Sequence, residues 1–140
     1  MASLSPFHLA IPVSDLAAAV QFYVEILGCT PGRSSEHWAD YSFFGHQLVL
    51  HEDKSHKGSK HFNQVDGKAV PVPHFGVVLD WEVFQNFSQL LIDQNIEFKI
   101  APYLRFEGLP GEQLTMFFYD PSGNALEFKS FKHIDQLFAT

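Results

Sequence analysis

At 140 residues the chain has the length of one domain with a core of its own, and its 46% hydrophobic content with fifteen phenylalanines excludes global disorder. A net charge of −7 with two arginines argues against a nucleic-acid surface or a polybasic membrane contact. No apolar run approaches the roughly 18–20 residues that a bilayer span needs.

The first residues show neither a charged segment nor an apolar run after it, so no signal peptide is expected. Cys29 is the one cysteine, unable to form an internal disulfide; it suits a reducing compartment, and a cytoplasmic protein is expected with Cys29 as a small buried thiol.

Phe7-His-Leu-Ala-Ile-Pro-Val13 alternates as a strand, with Phe7, Leu9, Ile11 and Val13 on one face and His8, Ala10 and Pro12 on the other. Ser14 or Asp15 can cap a helix carrying Leu16, Val20, Tyr23 and Leu27, which Gly28 ends. Strands are expected over about 29–35, 37–44 and 46–52, with a turn at Gly45. Residues 53–71 are mostly polar and aperiodic, and read as a linker with some lid character. His56 and His61 within them are expected to face solvent.

After Pro73 the first pattern returns. His74-Phe-Gly-Val-Val-Leu79 alternates with His74, Gly76 and Val78 on one face, and Asp80 can cap a helix holding Val83, Phe84, Phe87, Leu90 and Leu91. Strands follow at about 97–104, 113–119 and 124–130, the last two joined through Asp120-Pro-Ser-Gly123, and Lys132–Phe138 can form a short helix.

Both halves therefore read β-α-β-β-β. His8-Leu-Ala-Ile-Pro-Val-Ser-Asp15 aligns with His74-Phe-Gly-Val-Val-Leu-Asp80, and Gly45–Leu50 aligns with Gly123–Phe128. The expected layout is a single 1–140 domain of class α+β: repeat one at about 6–52, a linker at 53–71, repeat two at 72–130 and a tail at 131–140.

The repeat gives the histidines meaning. His8 and His74 open equivalent strands beside the small residues Ala10 and Gly76, which leave room for a ligand. Glu127 is a carboxylate between Leu126 and Phe128 on an apolar strand, so either it faces solvent or a positive partner waits for it. If the repeats pair about a pseudo-twofold axis around a shared central cavity, His8, His74 and Glu127 form a two-histidine, one-carboxylate metal set with open positions, as in non-heme Fe(II) sites. Glu127 aligns with Val49, which cannot ligate a metal, so the set stays at three.

His8, His74, the run Asp120-Pro-Ser-Gly-Asn-Ala-Leu-Glu127 and the doubled layout resemble the vicinal oxygen chelate superfamily, which includes glyoxalase I, bleomycin- and fosfomycin-resistance proteins and extradiol dioxygenases. The chain looks most like small predicted dioxygenases of the extradiol group, over about residues 6–130. The resemblance implies metal ligation by His8, His74 and Glu127. Fe(II) is the expected metal, with Mn(II), Ni(II) or Zn(II) as substitutes. The implied substrate is a catechol-like small molecule chelated through adjacent oxygens, with no nucleic-acid or membrane partner. A homodimer is expected from sheet edges that pair.

By position His46 matches the family's acid/base histidine, although alternation sets it on the face opposite Val49; His51, on the Gln47-Val49-His51 face, is a second candidate. The family's tyrosine falls near Phe117. Tyr41, Tyr103, Arg105 and Tyr119 are possible substrate contacts that also read as ordinary strand residues. Two other functions stay open: a lyase or isomerase using the metal as a Lewis acid, and a metal-free binding protein with an aromatic cleft formed by phenylalanines and Trp38.

Overall fold

A computed structural model describes residues 4–140. They form two compact units: residues up to Gly58 with Asp120–Gly123, and Ser59–Tyr119 with Asn124–Thr140.

In the first unit, β1 (His8–Val13) leads into helix α1 (Leu16–Gln21), which continues as a π-helical turn over Phe22–Ile26. Asp15 caps α1 by accepting from the Ala18 amide at 3.1 Å, which satisfies a donor the first turn leaves free. The strands β2 (Thr30–Ser34), β3 (Trp38–Phe43) and β4 (His46–Glu52) complete a sheet of order β1-β4-β3-β2, with β1 parallel to β4. Leu16, Ala19, Phe22, Tyr23 and Leu27 from the helical segment are buried, as are Ala39, Tyr41, Phe43, Leu48 and Leu50 from the sheet. Removing these apolar groups from water supplies the unit's main driving force.

The turn Asp120–Gly123 belongs to this unit for a specific reason. The buried Tyr23 hydroxyl donates to Asp120 at 2.9 Å, and the Ser14 amide donates to the Ser122 hydroxyl at 2.9 Å.

The second unit opens with a hairpin of β5 (His61–Val65) and β6 (Lys68–Val72), followed by β7 (His74–Phe75) and helix α2 (Trp81–Asp93). Then come β8 (Phe98–Arg105), β9 (Gln113–Tyr119) and β10 (Ala125–Phe131), in a sheet of order β7-β10-β9-β8 with β7 parallel to β10. Phe84, Ser88 and Leu91 are buried on α2, and Phe87 meets Phe128 edge-on, with ring centroids 5.0 Å apart. A short 3-10 helix at Ile134–Gln136 stands in the expected C-terminal helix.

The fold is thus α+β with two βαβββ repeats, and the strand registers match the sequence alignment of the halves. His8 faces Gln47 across β1 and β4, and His74 faces Ala125 across β7 and β10. Counting two residues on from each places Val49 and Glu127 at equivalent positions.

Two expectations change. The segment read as a linker at 53–71 contains most of the β5–β6 hairpin, closed by the two-residue turn Asp66-Gly67 with φ of 53° and 73°. Positive φ at both positions is the turn geometry that matches strand twist in short hairpins. The strand expected over 74–79 pairs regularly only at His74–Phe75 and returns as a bridge from Val78 to Lys129.

Candidate metal centre in the second repeat

The face of the β7-β10-β9-β8 sheet that carries Glu127 also carries Thr115, Phe117 and Lys129, by alternation along β9 and β10 and by the pairs Glu127–Phe117 and Lys129–Thr115. Glu127 is not a solvent residue: its side chain is 10% exposed. Its positive partner is His74, whose Nε2 lies 3.0 Å from Glu127 Oε1. Thr115 Oγ1 donates to Glu127 Oε2, and Lys129 Nζ lies 3.8 Å from that oxygen.

The other ring nitrogen of His74 is committed. Its Nδ1 lies 2.7 Å from the Pro71 carbonyl oxygen, and since a carbonyl only accepts, Nδ1 carries the proton. Nε2 is left as the position at which the ring can bind a metal or a second proton. Phe117, 4% exposed, stands edge-on to the His74 ring with centroids 5.1 Å apart. It joins Val70 and Ile100 in an apolar wall against which Val65 and Tyr103 pack.

Charge balance follows this geometry. The hydrogen bond to Glu127 raises the His74 pKa above its ordinary 6.5, against the opposing effect of burial. Burial alone would raise the Glu127 carboxyl, but hydrogen bonds from His74 and Thr115 and the nearby Lys129 charge outweigh it, and the pKa falls below 4.5.

His8 stands on β1 of the first unit with its Nδ1 2.8 Å from Gln47 Oε1. The Gln47 amide nitrogen is 3.4 Å from Asp40 Oδ2, which only accepts, so Gln47 turns its oxygen to His8 and Nδ1 again donates. Each repeat thus holds its histidine by the same ring nitrogen, Nδ1, and in His74 the other nitrogen, Nε2, faces Glu127. Among the described residues, no three His, Cys, Asp or Glu side chains gather into a metal-binding group. The structure brings His74 and Glu127 together in the second unit, and His8 belongs to the first.

The donor set fits a divalent metal: an imidazole with Nδ1 hydrogen-bonded to an oxygen and a carboxylate held by a hydroxyl are the second-sphere supports such ligands use. Gly76 serves a purpose other than leaving ligand space. A Cβ there would lie 1.6 Å from the Glu127 carbonyl oxygen, so the room beside His74 is filled by the β10 backbone.

His46 accepts the Phe7 amide on Nδ1 at 2.7 Å, which places its proton on Nε2. Along β4 it shares parity with the buried Leu48 and Leu50, whereas His51 shares the Gln47–Val49 face. Tyr41 is 4% exposed and belongs to the core, and burial raises its pKa. Tyr103 donates to Asp66 at 3.0 Å and Arg105 Nε lies 2.6 Å from the same oxygen, so both tie the hairpin tip to β8. His61 is exposed. Cys29 is buried, and burial pushes its thiol up to about 12. Sequence reasoning missed Thr115, Lys129 and Pro71. Strand parity with Glu127 was a usable signal for the first two, but a backbone carbonyl leaves none.

A family model described as the Glyoxalase/Bleomycin resistance protein/Dioxygenase superfamily matches residues 5–128. A comparison with curated proteins gives no match. Among solved structures, a glyoxalase/bleomycin resistance protein/dioxygenase from Alicyclobacillus acidocaldarius is 36% identical, with 96% of each chain covered and a TM-score of 0.80. At the level of fold alone, the fosfomycin resistance protein FosX from Listeria monocytogenes is similar at 17% identity and a TM-score of 0.70, covering 98% of this chain and 99% of its own. A lactoylglutathione lyase from Agrobacterium tumefaciens is similar at 16% and 0.66, with 97% of each chain covered. With its paired βαβββ repeats and a family match over nearly its whole length, the chain belongs to the glyoxalase/bleomycin resistance/dioxygenase superfamily.

Proposed function

We propose that the protein is a metal-dependent oxidoreductase of the extradiol dioxygenase type, acting on a catechol-like substrate bound through two adjacent oxygens. The observation that carries this reading is the His74 Nε2 to Glu127 Oε1 approach of 3.0 Å, with His74 Nδ1 committed to Pro71. His8, His74 and Glu127 would hold the metal, Fe(II) in the leading version and Mn(II), Ni(II) or Zn(II) otherwise. Such an ion supplies Lewis-acid chemistry that favours the anionic form of vicinal oxygens.

The chain's own residues supply the rest. Thr115 and Pro71 fix the two second-repeat ligands, and Phe117 covers the His74 ring edge-on. His46 is the proposed proton carrier by its place at the start of β4 and its protonated Nε2, although its parity is that of Leu48 and Leu50 and not of Gln47, the residue that holds His8. The reading extends to a homodimer paired through sheet edges; β1 is an edge strand, preceded by the 66%-exposed Phe7.

Phe117 favours a second reading. It has no hydroxyl to offer where the resemblance implies a tyrosine, and this suits a lyase or isomerase that uses the metal only as a Lewis acid. Oxygen uptake by the Fe(II)-reconstituted protein, screened against catechols, tests both. Uptake with a ring-opened product is expected for the dioxygenase, and turnover without oxygen for the second reading. Purified protein that binds no divalent metal, or whose metal content is unchanged by His74→Ala, overturns both.

A further inference from the structure

We propose that the cavity between β6 and β8 is a further ligand site in the second unit, and that it takes a small phosphate monoester with an apolar body. It shares no lining residue with the proposed metal centre.

The strands themselves leave this space. β8 ends its sheet, and β6 pairs with β5 alone. Ile100 pairs with Phe117 and Tyr103 with Thr115, so β8 takes three steps where β9 takes two. The extra residue falls at Ala101-Pro102, and Pro102 supplies no ladder donor, so β8 offers β6 no regular edge. A cavity of about 480 Å³ stays open there, the size of a site for a small organic molecule. Ile100, Pro102 and Tyr103 give it an apolar floor, and its charged lining residues are Lys68 and Lys99.

Both ammoniums lack a carboxylate partner. Among the described residues the ion pairs use His37, His74, Arg105, Lys129 and Lys132. Asp66 feels the Lys68 charge, but its Oδ2 is taken by Arg105 at 2.6 Å and Tyr103 at 3.0 Å. Aromatic faces steady the two lysines instead: Lys68 Nζ lies 4.1 Å from the centre of the Tyr103 ring, and Lys99 Nζ 5.1 Å from that of Phe62. A ring face attracts an ammonium without an oxygen acceptor for its N–H groups, so donors remain for a ligand. Two cations in one cavity match the nearly double charge and three acceptor oxygens of a phosphate monoester, where a carboxylate carries one charge. The apolar floor takes the body of the ester.

The test titrates phenyl phosphate, phenol and inorganic phosphate by calorimetry into the protein as purified and after chelation of metal, with the Tm of each variant recorded. Wild type is expected to bind one phenyl phosphate about tenfold more tightly than phenol or inorganic phosphate, in both preparations. Lys68→Gln and Lys99→Gln should each weaken phenyl phosphate by about tenfold and leave phenol unchanged. Lys54→Gln, which removes an exposed lysine of the first unit, should change nothing. Equal affinity for phenyl phosphate and either fragment overturns the proposal. So does unchanged affinity in both cavity variants, or equal weakening by Lys54→Gln, which would mean that net charge alone acts. Binding that chelation abolishes also overturns it, because the phosphate would then sit on a metal. Should one cavity variant not fold, the other decides.

Discussion

His74 and Glu127 meet at 3.0 Å through Nε2 and Oε1, the atoms each would present to a metal. Without a metal they share a proton, and the same contact is then an ion pair. The raised His74 pKa adds stability that is complete below the ordinary value of 6.5 and is lost as pH rises through the raised value. The depressed Glu127 pKa adds stability present above 4.5 and lost as pH falls through the lowered value. The metal-free pair thus supports the fold most between those two ordinary values. Metal binding must displace the His74 proton, so affinity rises over the window in which the ion pair fades. The Tm difference between metal-free wild type and His74→Gln should therefore shrink from about pH 6 to about pH 9, while wild-type metal affinity climbs. Calorimetric scans and metal titrations across that range check both; a difference constant with pH would mean that the pair does not titrate as a unit.

Thr115 is 1% exposed and its hydroxyl holds Glu127 Oε2, so Thr115→Val removes the hydrogen bond at nearly constant volume. The carboxylate loses one of the contacts that keep its pKa low and its orientation fixed. Metal affinity should fall by about tenfold or more, the usual effect of losing a second-sphere partner. Competition against a chelator measures it, and unchanged affinity would show that β10 alone orients Glu127.

Gly76 is a steric requirement. The equivalent position in the first repeat is Ala10, which tolerates a Cβ opposite Val49, but at Gly76 a Cβ would meet the Glu127 carbonyl oxygen at 1.6 Å. Backbone cannot move aside as a flexible side chain can. Gly76→Ala should destabilise the protein by about 1–3 kcal/mol or more, as overpacking does, with parallel loss of metal. Ala10→Gly should leave metal content unchanged. Urea denaturation of the two variants makes the comparison.

The repeat was legible because its signals are local. A histidine beside a small residue, an aspartate before a helix and a carboxylate on an apolar strand all survive in one dimension, and the pairs His8–Gln47 and His74–Ala125 place them as the alignment does. The hairpin at 61–72 was not legible from alternation. β5 is almost wholly exposed, so no buried face imposes a period of two on His61–Val65. Its signal was the dipeptide Asp66-Gly67, a short-hairpin turn by its chemistry. β7 ended early for a related reason: the alternation of 74–79 persists, but the contact between Gly76 and the Glu127 backbone depends on a strand some fifty residues away. His46 shows the same limit, since nothing in its own neighbourhood announces that its Nδ1 accepts the Phe7 amide.

Gln47 separates the two histidines by the kind of oxygen that holds them. His74 is held by a backbone carbonyl, which no substitution removes, whereas His8 depends on the Gln47 side chain, itself steadied by Asp40. Gln47→Leu leaves His8 free to exchange its tautomer and rotate, so part of its population presents a protonated Nε2 to a metal. Gln47 lies at the protein surface, so global stability should change by less than about 1 kcal/mol. Metal affinity should nevertheless fall by about tenfold, with the pH dependence set by His74 intact. If His8 is a ligand, loss of affinity at unchanged Tm is the required result. Unchanged affinity in Gln47→Leu, together with full metal content in His8→Ala, would restrict the centre to His74 and Glu127.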